Sequence, residues 1–87
     1  MFTFYADPGH GWLKVPRPLL KDLGIAGQIS RFSYQNSGAV YLEEDCDAGL
    51  FKDAWEARNG GSIHDYVTTE TTDRESPIRQ FACYRTI

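Results

Sequence analysis

The segment Asp7-Pro8-Gly9-His10-Gly11 lets no regular element pass through it, and punctuation of this kind recurs along the chain. Proline fixes one backbone angle, and the two glycines permit angles that other residues avoid. Before this turn, Phe2-Thr3-Phe4-Tyr5 alternates in the manner of a strand. After it, Trp12-Leu13-Lys14-Val15 resumes extended character, so the two runs predict a hairpin. Asn36-Ser37-Gly38 is a second hairpin signal, between runs at 29–35 and 39–42. Val40 and Leu42 then share one face of their strand, and Tyr41 takes the other. Phe32 and Tyr34 are expected on one face of the preceding strand.

Between the hairpins, Pro16 and Pro18 are tolerated in the first turn of a helix, where the missing N–H groups have no partner. Leu19, Leu20 and Leu23 are spaced to share a face, and Gly24 suits the left-handed position beyond the helix end. Ile25 is expected to fold back as its hydrophobic partner. A second helix is expected from a cap at Asp45 through Arg58, with Leu50–Ala54 and Phe51–Trp55 as its apolar stripe and Gly60-Gly61 as its stop. Residues 62–69 read as a further strand, 71–76 as a polar loop, and 77–84 as either a helical turn or a last strand. The expected order is ββαββαβ with a short tail, in a two-layer α+β domain with a mostly antiparallel sheet and two helices. Eighty-seven residues hold one such domain, spanning 1–87. A chain this small buries only about 60–65% of its unfolded surface, so its aromatic residues, two Trp among them, must fill the core.

Charge divides the chain into three parts. Residues 1–42 carry Lys14, Arg17, Lys21 and Arg31 against two acids. Residues 43–73 carry nine acids against Lys52 and Arg58. Residues 74–87 carry Arg74, Arg79 and Arg85 against Glu75. The densest acidic run is Glu43-Glu44-Asp45-Cys46-Asp47. Helix capping accounts for Asp45 and Asp47, since carboxylates at a helix start meet free N–H groups. It does not account for Glu43 and Glu44, or for Asp53 and Glu56 further along. Concentrated like charge repels itself, so such a face invites a basic partner. Glu43, Glu44, Asp45, Asp47, Asp53 and Glu56 are therefore the expected partner-binding set, provided that Arg74, Arg79 and Arg85 do not fold back to neutralise it.

Other chemistries are weaker in the sequence. The acids lack the spacing and the glycine of a calcium loop. His10, His64, Cys46 and Cys83 are scattered without the paired spacing of a zinc site, so neither metal nor cofactor is expected. His10 with Asp7 nearby has the makings of acid–base chemistry, but no companion nucleophile stands in the pattern. A helix start would favour the Cys46 thiolate, whereas four neighbouring acids oppose it. No catalytic residue is assigned, and the expected activity is non-enzymatic. No apolar stretch approaches the roughly 20 residues of a membrane span, and residues 1–8 lack the basic-then-apolar order of a signal peptide. A cytoplasmic monomer with reduced cysteines is expected.

Two resemblances add to this reading. Residues 11–25, Gly-Trp-Leu-Lys-Val-Pro-Arg-Pro-Leu-Leu-Lys-Asp-Leu-Gly-Ile, resemble the swapped-hairpin DNA-binding domains of the AbrB type, and the hairpin ending at Tyr41-Leu42 extends the likeness. That resemblance implies a dimeric transcription regulator holding phosphates with Lys14, Arg17, Lys21 and Arg31, although paired prolines and an acidic second half depart from the pattern. Asp7-Pro8-Gly9-His10-Gly11-Trp12-Leu13, the 30–35 stretch Ser-Arg-Phe-Ser-Tyr-Gln, and residues 41–48, Tyr-Leu-Glu-Glu-Asp-Cys-Asp-Ala, look like a family of small bacterial proteins often carried by phages and plasmids. Proteins of that origin are similar in style to anti-CRISPR inhibitors. By that analogy the expected function is inhibition of a host protein or protein–RNA defence complex, with the acidic face covering its nucleic-acid-binding surface.

Overall fold

Each punctuation mark becomes a chain reversal in the computed structural model, which describes residues 1–86. Strands β1 (Phe2–Ala6) and β2 (Gly11–Pro16) pair antiparallel with Tyr5 opposite Trp12 and Ala6 opposite Gly11. The turn between them is closed by Asp7, whose N–H donates to the His10 carbonyl at 2.9 Å. The Asp7 Oδ1 accepts from the N–H groups of Gly9 and His10 at 3.0 and 2.9 Å. Strands β3 (Tyr34–Asn36) and β4 (Ala39–Glu43) turn through Ser37 and Gly38, with φ of 50° and 81°. Positive φ at both central residues matches the right-handed twist of the flanking strands.

Helix α1 (Arg17–Asp22) follows Pro16 directly and buries Leu20 completely. Gly24 takes φ of 74°, and the chain folds back through Gly24 N–H to the Lys21 carbonyl and Ile25 N–H to the Leu20 carbonyl. These two bonds satisfy carbonyls that the helix end leaves open, and Ile25 is buried as expected. Helix α2 (Asp47–Asn59) buries Phe51 and half-buries Leu50, Ala54 and Trp55, and ends at Gly60 with φ of 70°.

The protein is a small α+β domain with one mixed sheet of six strands, in the order β5-β1-β2-β4-β3-β6. Strand β5 (Val67–Thr71) lies parallel to β1 at one edge, and the short β6 (Ala82–Cys83) lies antiparallel to β3 at the other. Period-two alternation sends Phe2, Leu13, Val15, Val40 and Leu42 to the face covered by the helices, where they meet Leu20, Ile25, Phe51 and Ile63. The opposite face carries a second cluster, Trp12, Tyr41 and Ile78, flanked by Tyr5, Tyr34 and Phe81. Its cover is the segment 72–81, which links the two edge strands and therefore crosses the sheet as a strap. A two-layer reading leaves this face bare, so the strap is an addition to the expected architecture.

Three expected boundaries move, each for a local reason. The strand foreseen from Ile29 begins only at Tyr34. Residues 30–33 instead turn, because Ser30 N–H, Ser30 Oγ and Ser33 Oγ all donate to Asp47 Oδ2, at 3.0, 2.6 and 2.5 Å. The strand foreseen from Ser62 begins at Val67. Residues 63–66 form a 3₁₀ turn, with Ser62 Oγ accepting from His64 N–H and the Glu56 carboxylate accepting from Ile63 N–H. Helix α2 begins after Cys46 rather than after Asp45, and no side chain caps it at that position.

Candidate functional site

The register of β2 against β4 sets Trp12 opposite Glu43, which brings the tip of the first hairpin beside the β4–α2 corner. A cleft of about 420 Å³ opens there, lined by His10, Trp12, Phe32, Tyr34, Glu43, Asp45, Cys46 and Arg79. Its floor is aromatic: Trp12 is buried and stacks edge-on with Tyr34 at 6.2 Å. The His10 ring lies 6.1 Å from that of Trp12. Phe32 stands at the rim with 77% of its surface exposed, because the Asp47-held turn at 30–33 points it outward. This overturns the expectation that Phe32 shares a strand face with Tyr34.

The carboxylates at the corner are held in different ways. Glu43 accepts from the N–H groups of Asp45 and Cys46 at 2.8 and 3.1 Å, which closes the turn ahead of α2 and fixes its side chain. Asp45 is exposed. One ligand atom each from His10, Glu43 and Asp45 lie within 4.8 Å of one another. Glu44 is exposed and belongs to a separate groove on the helix side, with Phe4, Lys52 and His64 among its walls.

The remaining three members of the expected acidic set have other roles. Asp47 is 1% exposed and serves as the acceptor for Ser30 and Ser33, so it is removed from any contact surface. Glu56 is half-buried, and its carboxyl is held below the usual carboxylate range, first by the N–H of Ile63 and then by Lys52. Asp53 is exposed and lies 3.9 Å from Lys52. The six residues thus do not form one face; Glu43 and Asp45 share the cleft, Glu44 stands behind it, and the other three stabilise or decorate α2.

The C-terminal arginines do not neutralise the corner. Arg79 reaches the cleft wall, but its guanidinium forks onto Asp7, Nε to Oδ2 at 2.7 Å and Nη2 to Oδ1 at 2.9 Å. Asp7 Oδ2 also accepts from Ser76 N–H at 2.9 Å. Arg79 first, then the Ser76 N–H, hold the Asp7 carboxyl well below the usual carboxylate range. Asp7 is therefore committed to the strap and to the backbone of the turn, not to the His10 imidazole. Among the described residues, Glu43, Glu44 and Asp45 form no ion pair with a lysine or arginine.

Of the basic residues named for DNA, Lys14 lies on β2, Arg17 and Lys21 one turn apart on α1, and Arg31 in the 30–33 turn. Arg17 donates to Gln35 and to the Arg85 carbonyl, and its guanidinium lies 5.0 Å from the Tyr84 ring centre. Lys14, Lys21 and Arg31 are exposed, with Lys14 Nζ 6.0 Å from the Tyr41 ring centre. Cys46 and Cys83 are both free and exposed. The cleft itself escaped the sequence reading because it depends on the pairing of β2 with β4, a long-range register that no local pattern specifies. Its one available signal was Phe32, an aromatic set among polar residues. No protein-family model, curated protein or solved structure matches this chain, so neither sequence resemblance gains support from that quarter.

Proposed function

We propose that this protein is a non-enzymatic binding module that docks on a Lys/Arg-rich protein surface through the β4–α2 corner. The observation that carries the reading is three carboxylates without a cationic partner among the described residues, Glu43 and Asp45 in the cleft rimmed by the exposed ring of Phe32 and Glu44 in the groove behind it. Exposed ion pairs contribute only about 0.2–1 kcal/mol each, so three of them fall well short of the roughly 8 kcal/mol of a micromolar complex. Desolvated contacts in the cleft, together with burial of the exposed Phe32, must supply the remainder. An arginine entering it would meet Glu43 and Asp45 and lie against Tyr34 or Phe32, a contact worth up to about 2 kcal/mol when desolvated. Charge then governs the association rate, and the cleft and Phe32 govern residence time.

The narrower form of this reading makes the partner a host defence complex, with the corner occupying lysines and arginines that otherwise hold phosphate. Its support is the likeness to phage- and plasmid-borne proteins. The test is affinity for such an effector across a salt series, in the native chain and in Glu43→Gln/Glu44→Gln/Asp45→Asn. Binding should weaken with salt in the native chain and lose most of that dependence in the triple variant. Equal affinity of the two proteins at low salt would reject the docking surface, and retention of duplex DNA in a gel shift would favour the regulator instead.

A further inference from the structure

We propose that His10, Glu43 and Asp45 form a binding site for a divalent first-row transition metal such as Zn²⁺, open to solvent on the cleft side. The three donors come from two chain reversals, the β1–β2 turn and the β4–α2 corner, which the Trp12–Glu43 register holds together. They form a mixed set, one imidazole nitrogen and two carboxylate oxygens. An imidazole nitrogen suits zinc and its neighbours and sets the site apart from the all-oxygen shells of calcium and magnesium.

The geometry needs little adjustment. Metal–ligand bonds of about 2.1 Å in a tetrahedral arrangement put donor atoms about 3.4 Å apart. The present separations lie within 4.8 Å, and closure falls to His10 and Asp45, both exposed. Glu43 needs no movement. Its two bonds from the Asp45 and Cys46 N–H groups orient the carboxylate, and each oxygen keeps a second lone pair for a metal. Buttressing of this kind orients ligands in metal sites generally. The Trp12 ring beside His10 limits the directions in which the imidazole swings. Arg79, the cation on the cleft wall, is already committed to Asp7, so the negative charge of Glu43 and Asp45 is available to an ion. Three protein ligands leave at least one position for water.

The site shares Glu43 and Asp45 with the proposed docking surface, so a bound ion and a partner's arginine would compete for them, but its test needs the chain alone. In a Cys46→Ser/Cys83→Ser background, which removes thiol capture, Zn²⁺ is titrated while the imidazole resonances of His10 and His64 are followed by NMR. Saturable one-to-one movement of His10, with His64 unmoved and with no response to Mg²⁺ at the same concentration, is the expected result. His10→Ala should weaken Zn²⁺ binding at least as much as loss of an outer-shell partner does, about 10-fold or more. Glu43 also closes the helix turn, so Asp45→Asn is the carboxylate variant, and it should weaken binding while leaving the far-UV spectrum unchanged. Equal movement of His10 and His64, unchanged affinity in His10→Ala, or loss of all binding once the cysteines are removed would each overturn the assignment.

Discussion

The two faces of the sheet are held by different forces. On the helix side, Val40, Leu42, Leu20 and Phe51 are fully buried, and α2 closes over them. On the strap side the apolar cluster is small, and the cover is anchored by one carboxylate, Asp7, gripping Arg79 and Ser76 across about 70 residues of sequence. Apolar burial is non-directional and roughly additive over area, whereas a single charge-assisted anchor is local and depends on ionisation. The helix side should therefore fail globally when damaged, and the strap side locally and with acid.

Phe51→Ala gives the largest expected effect. Truncating a fully buried phenylalanine costs about 3–5 kcal/mol. At about 0.05–0.15 kcal/mol per residue, a chain of this length has only about 4–13 kcal/mol in all. Most of the transition should move, and chemical denaturation followed by far-UV circular dichroism checks it. A midpoint close to that of the native chain would show that α2 contributes little to the core.

Asp7→Asn should instead release the strap while β1, β2 and β4 stay protected. The expected signature is faster amide exchange at Ser76, Ile78 and Arg79 and a red shift of Trp12 emission, without loss of the helix signal. Acid should mimic this variant in the native chain. The folded-state pKa of Asp7 lies below its unfolded value of about 4, so the clamp's contribution is fully present above that pH. It declines as pH falls below about 4, where the unfolded chain takes up the proton first. Removing the carboxylate should therefore flatten the acid limb of a stability–pH profile. Native and variant profiles of equal slope below pH 4 would refute the clamp.

Asp47 sharpens the contrast, because it is a charge used on the helix side. Its Oδ2 accepts all three donors from Ser30 and Ser33, and Ser33 Oγ in turn accepts from Glu43 N–H at 3.0 Å. Asp47→Ala leaves the buried Ser33 hydroxyl without its acceptor, at about 1–3 kcal/mol for such a group. The 30–33 turn should then loosen and Phe32 lose its fixed place at the cleft rim. Amide exchange at Ser30 and Ser33 reads this directly, and unchanged protection there would mean that the turn holds itself.

The same contrast decides what was legible in the sequence. The two hairpins, the Gly24 stop and the face shared by Val40 and Leu42 are properties of neighbours within a few residues, so local patterns reveal them. The strap and the cleft arise from Asp7 with Arg79 and from Glu43 with Trp12, pairs far apart in the chain whose meeting depends on strand order. Acidic composition likewise identified a region without its geometry. It grouped Asp47 and Glu56 with Asp45, although hydroxyl groups claim the first and a backbone N–H the second.

Glu44→Gln with Asp45→Asn carries the smallest expected effect on the fold and separates fold from function most cleanly. Neither side chain supports a backbone group or an ion pair among the described residues, and both are exposed. Surface changes of this kind stay within about 0.5 kcal/mol, and relief of like-charge repulsion at the corner favours the variant slightly. Thermal unfolding should be unchanged or marginally raised. A clear fall in stability would mean that these carboxylates are structural after all, in which case their exposure would no longer argue for a partner. An unchanged fold with weakened, less salt-sensitive association would leave binding as the role that keeps them there.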